Sequence, residues 1–250
     1  MTVDLDRLFD RPIAHRGLHD AANGIVENSR TAVWHAVQSG YGFEVDVQIS
    51  SDGEAMVFHD DVLDRLTDYA GPVKEFTAAQ LSGVPLKDSA NGDTIWTLAE
   101  LLELVAGQAP AVIEIKTHWD SNTALARRVG ELLAAYEGPV AAKSFDPDLV
   151  AELARAAPNV ARGIVGYAYD DEEAESLTPF KRARLRNLLH WPRTGPHFIS
   201  WDVKDLPRTS VDLANRITGA PVMTWTVRTP ADQARAGLYA DQMIFEGFRP

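Results

Sequence analysis

The order of strands and helices limits the fold of this 250-residue chain more than any other feature. Short apolar strands alternate with amphipathic helices along most of the sequence. Eight strand candidates lie around His15, Asp46, Glu114, Phe145, Val165, Trp201, Trp225 and Phe245. The first is Pro12–Gly17, and the last three are Phe198–Asp202, Val222–Val227 and Gln242–Phe245. Eight β-α units in a chain of this length predict an α/β fold, a TIM-type (β/α)8 barrel. A doubly wound open sheet is the alternative, but no Gly-x-Gly-x-x-Gly segment follows the first strand, which argues against nucleotide binding.

A hairpin and an irregular segment interrupt this alternation after the second barrel strand. Asp52-Gly53 between two apolar runs predicts a β-hairpin, and its returning strand leads to His59 beside the second strand. Residues 61–96 follow, with several turn residues and little periodicity. We therefore predict a single barrel domain over residues 1–250, with a small insertion at about 61–96.

Two helix starts carry clear capping residues. Ser29 is a suitable N-cap for a helix over Arg30–Ser39. Thr97, with Glu100 three residues later, forms a capping-box pattern before a helix over Leu98–Ala106. Both helices belong to the alternating β-α pattern.

The second strand, Gly42–Gln48, carries two carboxylates at alternate positions. Glu44 and Asp46 therefore point to one side, and the Phe and Val residues between them point to the other. Two like charges on a buried strand are costly unless a cation or a proton compensates them. Carboxylate oxygens suit a hard divalent ion such as Mg²⁺ or Ca²⁺. The alternative is an edge strand with a hydrated acidic face.

Two other strands bring charged or titratable groups to the same rim. Ala111–Lys116 places Glu114 and Lys116 on one side, where they could also form a simple ion pair with each other. The first strand ends in His15 and Arg16. In a (β/α)8 barrel the active site lies at the carboxyl ends of the strands, so we expect these side chains to face one another.

Composition excludes several classes of protein. A net charge of −12 argues against a nucleic-acid-binding protein, because phosphate contacts require an excess of Lys and Arg. With no cysteine, the chain has no disulfide, thiolate metal site or cysteine nucleophile. Residues 1–10 lack the pattern of a secretory signal, and no apolar run could insert stably in a membrane. We expect a soluble, cytoplasmic protein that acts on a small molecule; the sequence does not indicate its oligomeric state.

Several spaced motifs together resemble the glycerophosphodiester phosphodiesterase family of bacterial type. The first half of the chain carries them in register: His15-Arg16-Gly17, Glu27-Asn28-Ser29, Glu44-Val45-Asp46, Ser51-Asp52-Gly53, His59-Asp60 and Glu114-Ile115-Lys116. The second half is similar mainly through two segments, Ser144-Phe145-Asp146 and Trp225-Thr226-Val227. The series is far more specific than any one motif.

Two positions depart from the family pattern. Val26 stands where the family usually has Pro before Glu-Asn-Ser/Thr. The last strand ends in Ile244-Phe245-Glu246, where the family usually has Ile-Thr-Asp. The second departure puts the substrate contacts expected from that strand in doubt.

The resemblance implies a role for nine residues. The metal ligands for Mg²⁺ or Ca²⁺ would be Glu44, Asp46 and Glu114. The acid/base pair would be His15 and His59, with the order of their roles left open. The substrate-binding residues would be Arg16, Lys116, Asn28 and Trp225. Asn28 could orient the substrate or His15, and Trp225 could instead belong to the barrel core.

The implied function is metal-dependent hydrolysis of glycerophosphodiesters to glycerol 3-phosphate and an alcohol, a reaction of lipid and glycerol metabolism. One alternative is a lipid phosphodiesterase similar to lysophospholipase D or sphingomyelinase D. Those enzymes usually carry disulfides, which this sequence cannot form. The other alternative is a non-catalytic barrel that binds phosphate, against which the presence of both histidines and all three carboxylates argues.

Overall fold

The computed structural model describes residues 5–250, so the first four residues of the predicted domain lie outside it. Within that range the strands are β1 (Ile13–Ala14), β2 (Gly42–Ile49), β3 (Ala55–Val57), β4 (Trp96–Thr97), β5 (Ala111–Ile115), β6 (Val140–Ser144), β7 (Ala161–Gly166), β8 (Phe198–Asp202), β9 (Val222–Val227) and β10 (Gln242–Phe245). The α-helices are α1 (Asp6–Phe9), α2 (Arg30–Gln38), α3 (Ala78–Ser82), α4 (Leu98–Val105), α5 (Ala124–Ala134), α6 (Pro147–Ala156), α7 (Pro179–Arg186), α8 (Trp191–Thr194), α9 (Thr209–Thr218) and α10 (Pro230–Tyr239). None of these helices is long and apolar enough to cross a bilayer.

Eight parallel strands close into a barrel. They follow the order β1-β10-β9-β8-β7-β6-β5-β2, and β2 returns to pair with β1. The predicted TIM-type (β/α)8 barrel is confirmed. The other two strands lie outside the barrel: β3 pairs antiparallel with β2, as the Asp52-Gly53 hairpin predicted, and β4, which was not predicted, pairs antiparallel with β3.

The helix starts follow their capping residues. The Ser29 hydroxyl accepts a hydrogen bond from the backbone N–H of Ala32 at the start of α2. At the start of α4, Thr97 and Glu100 form both hydrogen bonds of a capping box. In contrast, β1 is shorter than predicted, because φ is 55° at Arg16 and therefore incompatible with a strand.

The two sides of each barrel strand face different surroundings. The apolar residues of β2 pack with the helices in the main core, whereas Glu44 and Asp46 lie on the other side of the strand. Residues of the short helix α1 join the apolar layer of the barrel interior; Leu8 is buried there, and Phe9 contacts Phe198 edge to face at 6.3 Å. This apolar layer closes the end of the barrel opposite the acidic residues of β2, and the buried Gln242 donates hydrogen bonds to the backbone carbonyls of Leu8 and Arg11 there.

The segment 61–96 forms a small apolar cluster of its own. Leu63, Val73 and Leu81 are buried together with Met56 and Phe58 of the hairpin's return. Two isolated antiparallel bridges and the short helix α3 give this segment its local order. It is therefore anchored beside β3 rather than among the barrel strands.

Candidate active site

Three buried carboxylates meet inside the barrel. Glu44 and Asp46 lie on β2, and Asp46 is directly opposite Glu114 of β5 in the parallel register. Each contributes one oxygen to a group whose members lie within 4.8 Å of one another. The three residues, here called the acidic trio, are at most 6% exposed. Such a group of like charges requires cations to be stable.

Lys116 and Arg16 supply part of this positive charge. The Nζ of Lys116 lies 2.7 Å from Oδ1 of Asp46 and 2.7 Å from Oε1 of Glu114. The Nε of Arg16 lies 3.4 Å from Oδ2 of Asp46. The ion pair between Glu114 and Lys116 that the sequence left open is therefore present, and Lys116 also bridges to β2.

Lys143 on β6 is a third cation that sequence analysis missed. It is 1% exposed, and its Nζ lies 3.1 Å from Oε1 of Glu44 and 3.0 Å from Oε2 of Glu114. In the strand register Lys143 is the direct neighbour of Glu114. A lysine within an otherwise apolar strand was the available signal, since a buried ammonium requires buried carboxylates.

The trio and its lysines hold one another in their charged forms. Burial alone would raise the pKa of Glu114, but the charges of Lys116 and Lys143 outweigh it and lower that pKa to about 2. The pKa of Asp46 is also lowered, because Lys116 and other nearby cations outweigh its burial. Burial would lower the pKa values of both lysines, yet the carboxylates raise them. Asp46, Glu114 and the two lysines are therefore ionised at neutral pH.

His15 is held by the unusual last strand. Its Nδ1 lies 2.5 Å from Oε2 of Glu246, and its Nε2 lies 4.0 Å from Oε2 of Glu44. Arg228 donates two hydrogen bonds of 3.0 Å to the two Glu246 oxygens, and His19 approaches Glu246 at 3.9 Å. Burial would raise the pKa of Glu246, but these hydrogen bonds lower it. Glu246, which stands where the family usually has Asp, thus keeps a carboxylate at this position, and it orients His15 with its Nε2 toward the trio.

His59 has a similar carboxylate partner. Its Nδ1 lies 2.7 Å from Oδ1 of Asp60, and its backbone carbonyl accepts a hydrogen bond from Gln48. Arg65 of the segment 61–96 donates hydrogen bonds to both oxygens of Asp60 and to Glu27. Like His15, His59 therefore has one ring nitrogen fixed and the other available.

Asn28 is hydrogen-bonded through its side-chain amide to Asp46 of the trio. It is 2% exposed, its Nδ2 donates to Oδ2 of Asp46 at 2.9 Å, and its Oδ1 accepts from the Asp46 backbone N–H at 3.1 Å. Its φ of 59° is in the left-handed region, which Asn tolerates better than most residues. Asn28 thus fixes Asp46, whereas the sequence suggested contact with the substrate or His15.

A cavity of about 700 Å³ opens over these groups. Its charged and titratable lining includes His15, Arg16, Asp46, His59, Glu114, Lys116 and Lys143. Its aromatic lining comprises Trp119, Phe145, Tyr167, Tyr169 and Trp225. Phe145 contacts Tyr167 and Trp225 edge to face, with ring centroids 5.9 and 5.5 Å apart. The cavity can therefore accept a small anion that has an organic substituent.

The donor set of the acidic trio fits a divalent ion. It offers carboxylate oxygens only, the ligands that hard cations prefer. The Oε1 of Glu44 is buried and lies 3.1 Å from the Lys143 ammonium, so this oxygen already faces a cation. The trio could therefore hold a divalent metal ion.

Known proteins show the same fold and related sequences. The model of the Glycerophosphoryl diester phosphodiesterase family matches residues 15–241. A glycerophosphodiester phosphodiesterase of Caldanaerobacter subterraneus subsp. tengcongensis is 32% identical over 161 residues, which are 61% of this chain and 65% of that relative.

Two solved structures show the likeness of fold. An Oleispira antarctica phosphodiesterase in complex with the product sn-glycerol-3-phosphate has a TM-score of 0.75 at 20% identity, over 94% of this chain and 92% of that one. A glycerophosphodiester phosphodiesterase of Thermotoga maritima has a TM-score of 0.69 at 24% identity, over 93% and 92%. Because the family model covers most of the sequence and the barrel places the motif residues in one cavity, this chain belongs to the glycerophosphoryl diester phosphodiesterase family.

Proposed function

We propose that the protein hydrolyses glycerophosphodiesters to glycerol 3-phosphate and an alcohol, with His15 and His59 as the acid/base pair and a divalent ion on the acidic trio. One observation supports this most strongly. Both histidines line the cavity that Asp46 and Glu114 of the trio also line, and each has its Nδ1 next to a carboxylate. Two oriented imidazoles beside a cation-binding group suit displacement at a phosphate.

The histidines would move the protons of the reaction. With Nδ1 hydrogen-bonded to Glu246 or Asp60, each ring presents Nε2 for proton transfer. One histidine accepts the proton of the attacking hydroxyl as its oxygen bonds to phosphorus. The other donates a proton to the alcohol oxygen as its bond to phosphorus breaks. When the attacking hydroxyl is that of water, the first histidine then releases its proton to solvent and the second takes one up, so both are regenerated and the net reaction consumes one water.

Arg16 and Lys116 would bind the phosphodiester. Both line the cavity, and both already neutralise Asp46, so they lie where the anion would approach the trio. Trp225 and its aromatic neighbours offer an apolar surface to the glycerol or the alcohol. A bound Mg²⁺ or Ca²⁺ would neutralise negative charge on the phosphate.

The related proteins support the substrate class. The Caldanaerobacter relative bears the name glycerophosphodiester phosphodiesterase, and the Oleispira structure contains sn-glycerol-3-phosphate as product. The chain's net charge of −12 favours a small diester over nucleic acid. The absence of cysteine is compatible with a reducing compartment, so we place the reaction in the cytoplasm.

A three-substrate assay with and without EDTA tests the proposal. Glycerophosphocholine should be hydrolysed, and EDTA should abolish the reaction. Lysophosphatidylcholine should be a poor substrate; a clear preference for it would identify a lipid phosphodiesterase instead. Bis(p-nitrophenyl) phosphate reports phosphodiester cleavage in general. No turnover of any substrate at any metal concentration would indicate a phosphate-binding barrel and refute the proposed activity.

A further inference from the structure

Lys143 is placed differently from the other two cations of the site. The side chains of Arg16 and Lys116 are 19% and 17% exposed, whereas that of Lys143 is 2% exposed. Its Nζ contacts one oxygen of Glu44 on β2 and one oxygen of Glu114 on the neighbouring strand β5. A cation that bridges these two carboxylates would occupy the same space.

The formal charges of the site also indicate that Lys143 and a metal ion would compete. The trio contributes three negative charges, and Lys116, Lys143 and Arg16 contribute three positive ones. Arg16 shares its charge with Glu27, whose Oε1 lies 2.7 Å from its Nη1, so the three cations do no more than balance the trio before any metal binds. Without Lys143 the trio would lose one of the two ammonium groups that contact it, and it would attract a divalent ion more strongly.

We infer that the Lys143 ammonium is a built-in cation that competes with the divalent metal for Glu44 and Glu114. Metal binding then requires Lys143 to leave at least one of these carboxylates, and the affinity is lower than the trio alone would provide. This inference rests on the metal site of the proposed function. It does not depend on which diester is hydrolysed.

Metal titration without substrate tests the competition. Apo protein is titrated with Mg²⁺ and with Mn²⁺ by calorimetry, comparing wild type with Lys143→Met. Methionine keeps most of the aliphatic length of lysine and removes the charge. The variant should bind metal at least about tenfold more tightly, because a unit positive charge within a few ångströms of the ion is lost. Lys87→Met is the matched control, since Lys87 is outside the cavity lining and is paired with the exposed Asp68. The metal affinity of this variant should equal that of wild type.

Both the titration and a melting experiment can refute the competition between Lys143 and the metal. Equal or weaker binding by a folded Lys143→Met would refute the competition. If the Met variant does not fold, Lys143→Gln replaces it, because the glutamine amide keeps a hydrogen bond to a carboxylate. Saturating metal should also raise the melting temperature of the variant more than that of wild type, since tighter ligands stabilise the folded state more. An equal rise in both proteins would contradict the inference.

A crystal of the wild-type protein with Mn²⁺ provides a test that needs no variant. With Mn²⁺ on the trio, Lys143 Nζ should lie more than about 4 Å from Glu44 or from Glu114. If Mn²⁺ binds the trio while Nζ stays hydrogen-bonded to both, Lys143 does not compete. These experiments measure binding and position only, so failure of the protein to hydrolyse glycerophosphodiesters would leave their outcome unaffected.

Discussion

Replacing Glu246 with Gln should slow the reaction through His15. The change keeps the shape of the side chain and removes the charge that faces His15 Nδ1 and Arg228. A hydrogen bond to a charged group contributes about 1.5–3 kcal/mol, against about 1 kcal/mol for a neutral one. The difference is about 0.5–2 kcal/mol, so if most of it is expressed in the transition state, where His15 carries a proton, kcat should fall about 2- to 30-fold.

Steady-state kinetics with glycerophosphocholine separate this effect from others. Loss of the carboxylate also releases Arg228, which lines the cavity, so Arg228→Met is measured beside it. Arg228→Met should change mainly KM, whereas Glu246→Gln should change mainly kcat. Glu152→Gln is the matched control, because Glu152 is an arginine-paired carboxylate outside the cavity lining, and its kinetics should equal those of wild type.

A double variant gives the decisive comparison. In a His15→Ala background Glu246→Gln should have almost no further effect on kcat, since the group that it orients is absent. The reasoning would be refuted if Glu246→Gln reduced kcat as much in that background as in wild type. It would also be refuted if the kcat of the single variant equalled that of wild type.

The remaining predictions concern the histidines, the trio and pH. His15→Ala and His59→Ala should each lower kcat by about 10²–10⁴, and a double variant whose loss equals the product of the two would argue against a shared displacement step. Asp46→Asn should fold, as circular dichroism would show, but bind Mg²⁺ weakly by calorimetry; affinity equal to that of wild type would remove Asp46 from the ligand set. The lowered pKa of Glu114, about 2 against an ordinary 4.5, adds stability that is present above pH 4.5 and is lost as pH falls toward 2. In EDTA the melting temperature should therefore fall between pH 5 and pH 2, and fall less for Glu114→Gln; equal falls would contradict this role.

Much of the barrel could be predicted because local signals and tertiary packing agree. The last three strands have the predicted bounds, since each is a short apolar run between polar segments. The helix that begins after Thr97 was defined by its capping box. Helix α5, in contrast, begins at Ala124 without a side-chain cap. Helix ends without a cap carry little local information.

Part of the site could be predicted from the alternation of side chains along a single strand. Glu44 and Asp46 share a strand, so alternation alone placed them together. The contacts of Lys143 and Glu246 were not predicted, because their partners are on other strands. These contacts depend on strand register and on closure of the barrel. Lys143 is the register neighbour of Glu114, and β10 brings Glu246 to His15 only because it pairs with β1.

Asn28 shows a different limit of sequence reasoning. Its motif marked it as functional, but both ends of its side-chain amide are used by Asp46. The left-handed backbone at Arg16 and Asn28 sets these directions, and neither angle could be predicted from the neighbouring residues. The position of a residue in a motif therefore did not reveal which group it contacts.

Product analysis of glycerophosphocholine hydrolysis in ¹⁸O-labelled water, with and without EDTA, tests the central claim most directly. We predict glycerol 3-phosphate that carries the label on phosphorus together with unlabelled choline, loss of both products in EDTA, and recovery with Mg²⁺ or Ca²⁺. Release of phosphocholine and glycerol would show that the other ester bond is cleaved. Full turnover in excess EDTA after dialysis would show that the acidic trio does not act through a metal ion.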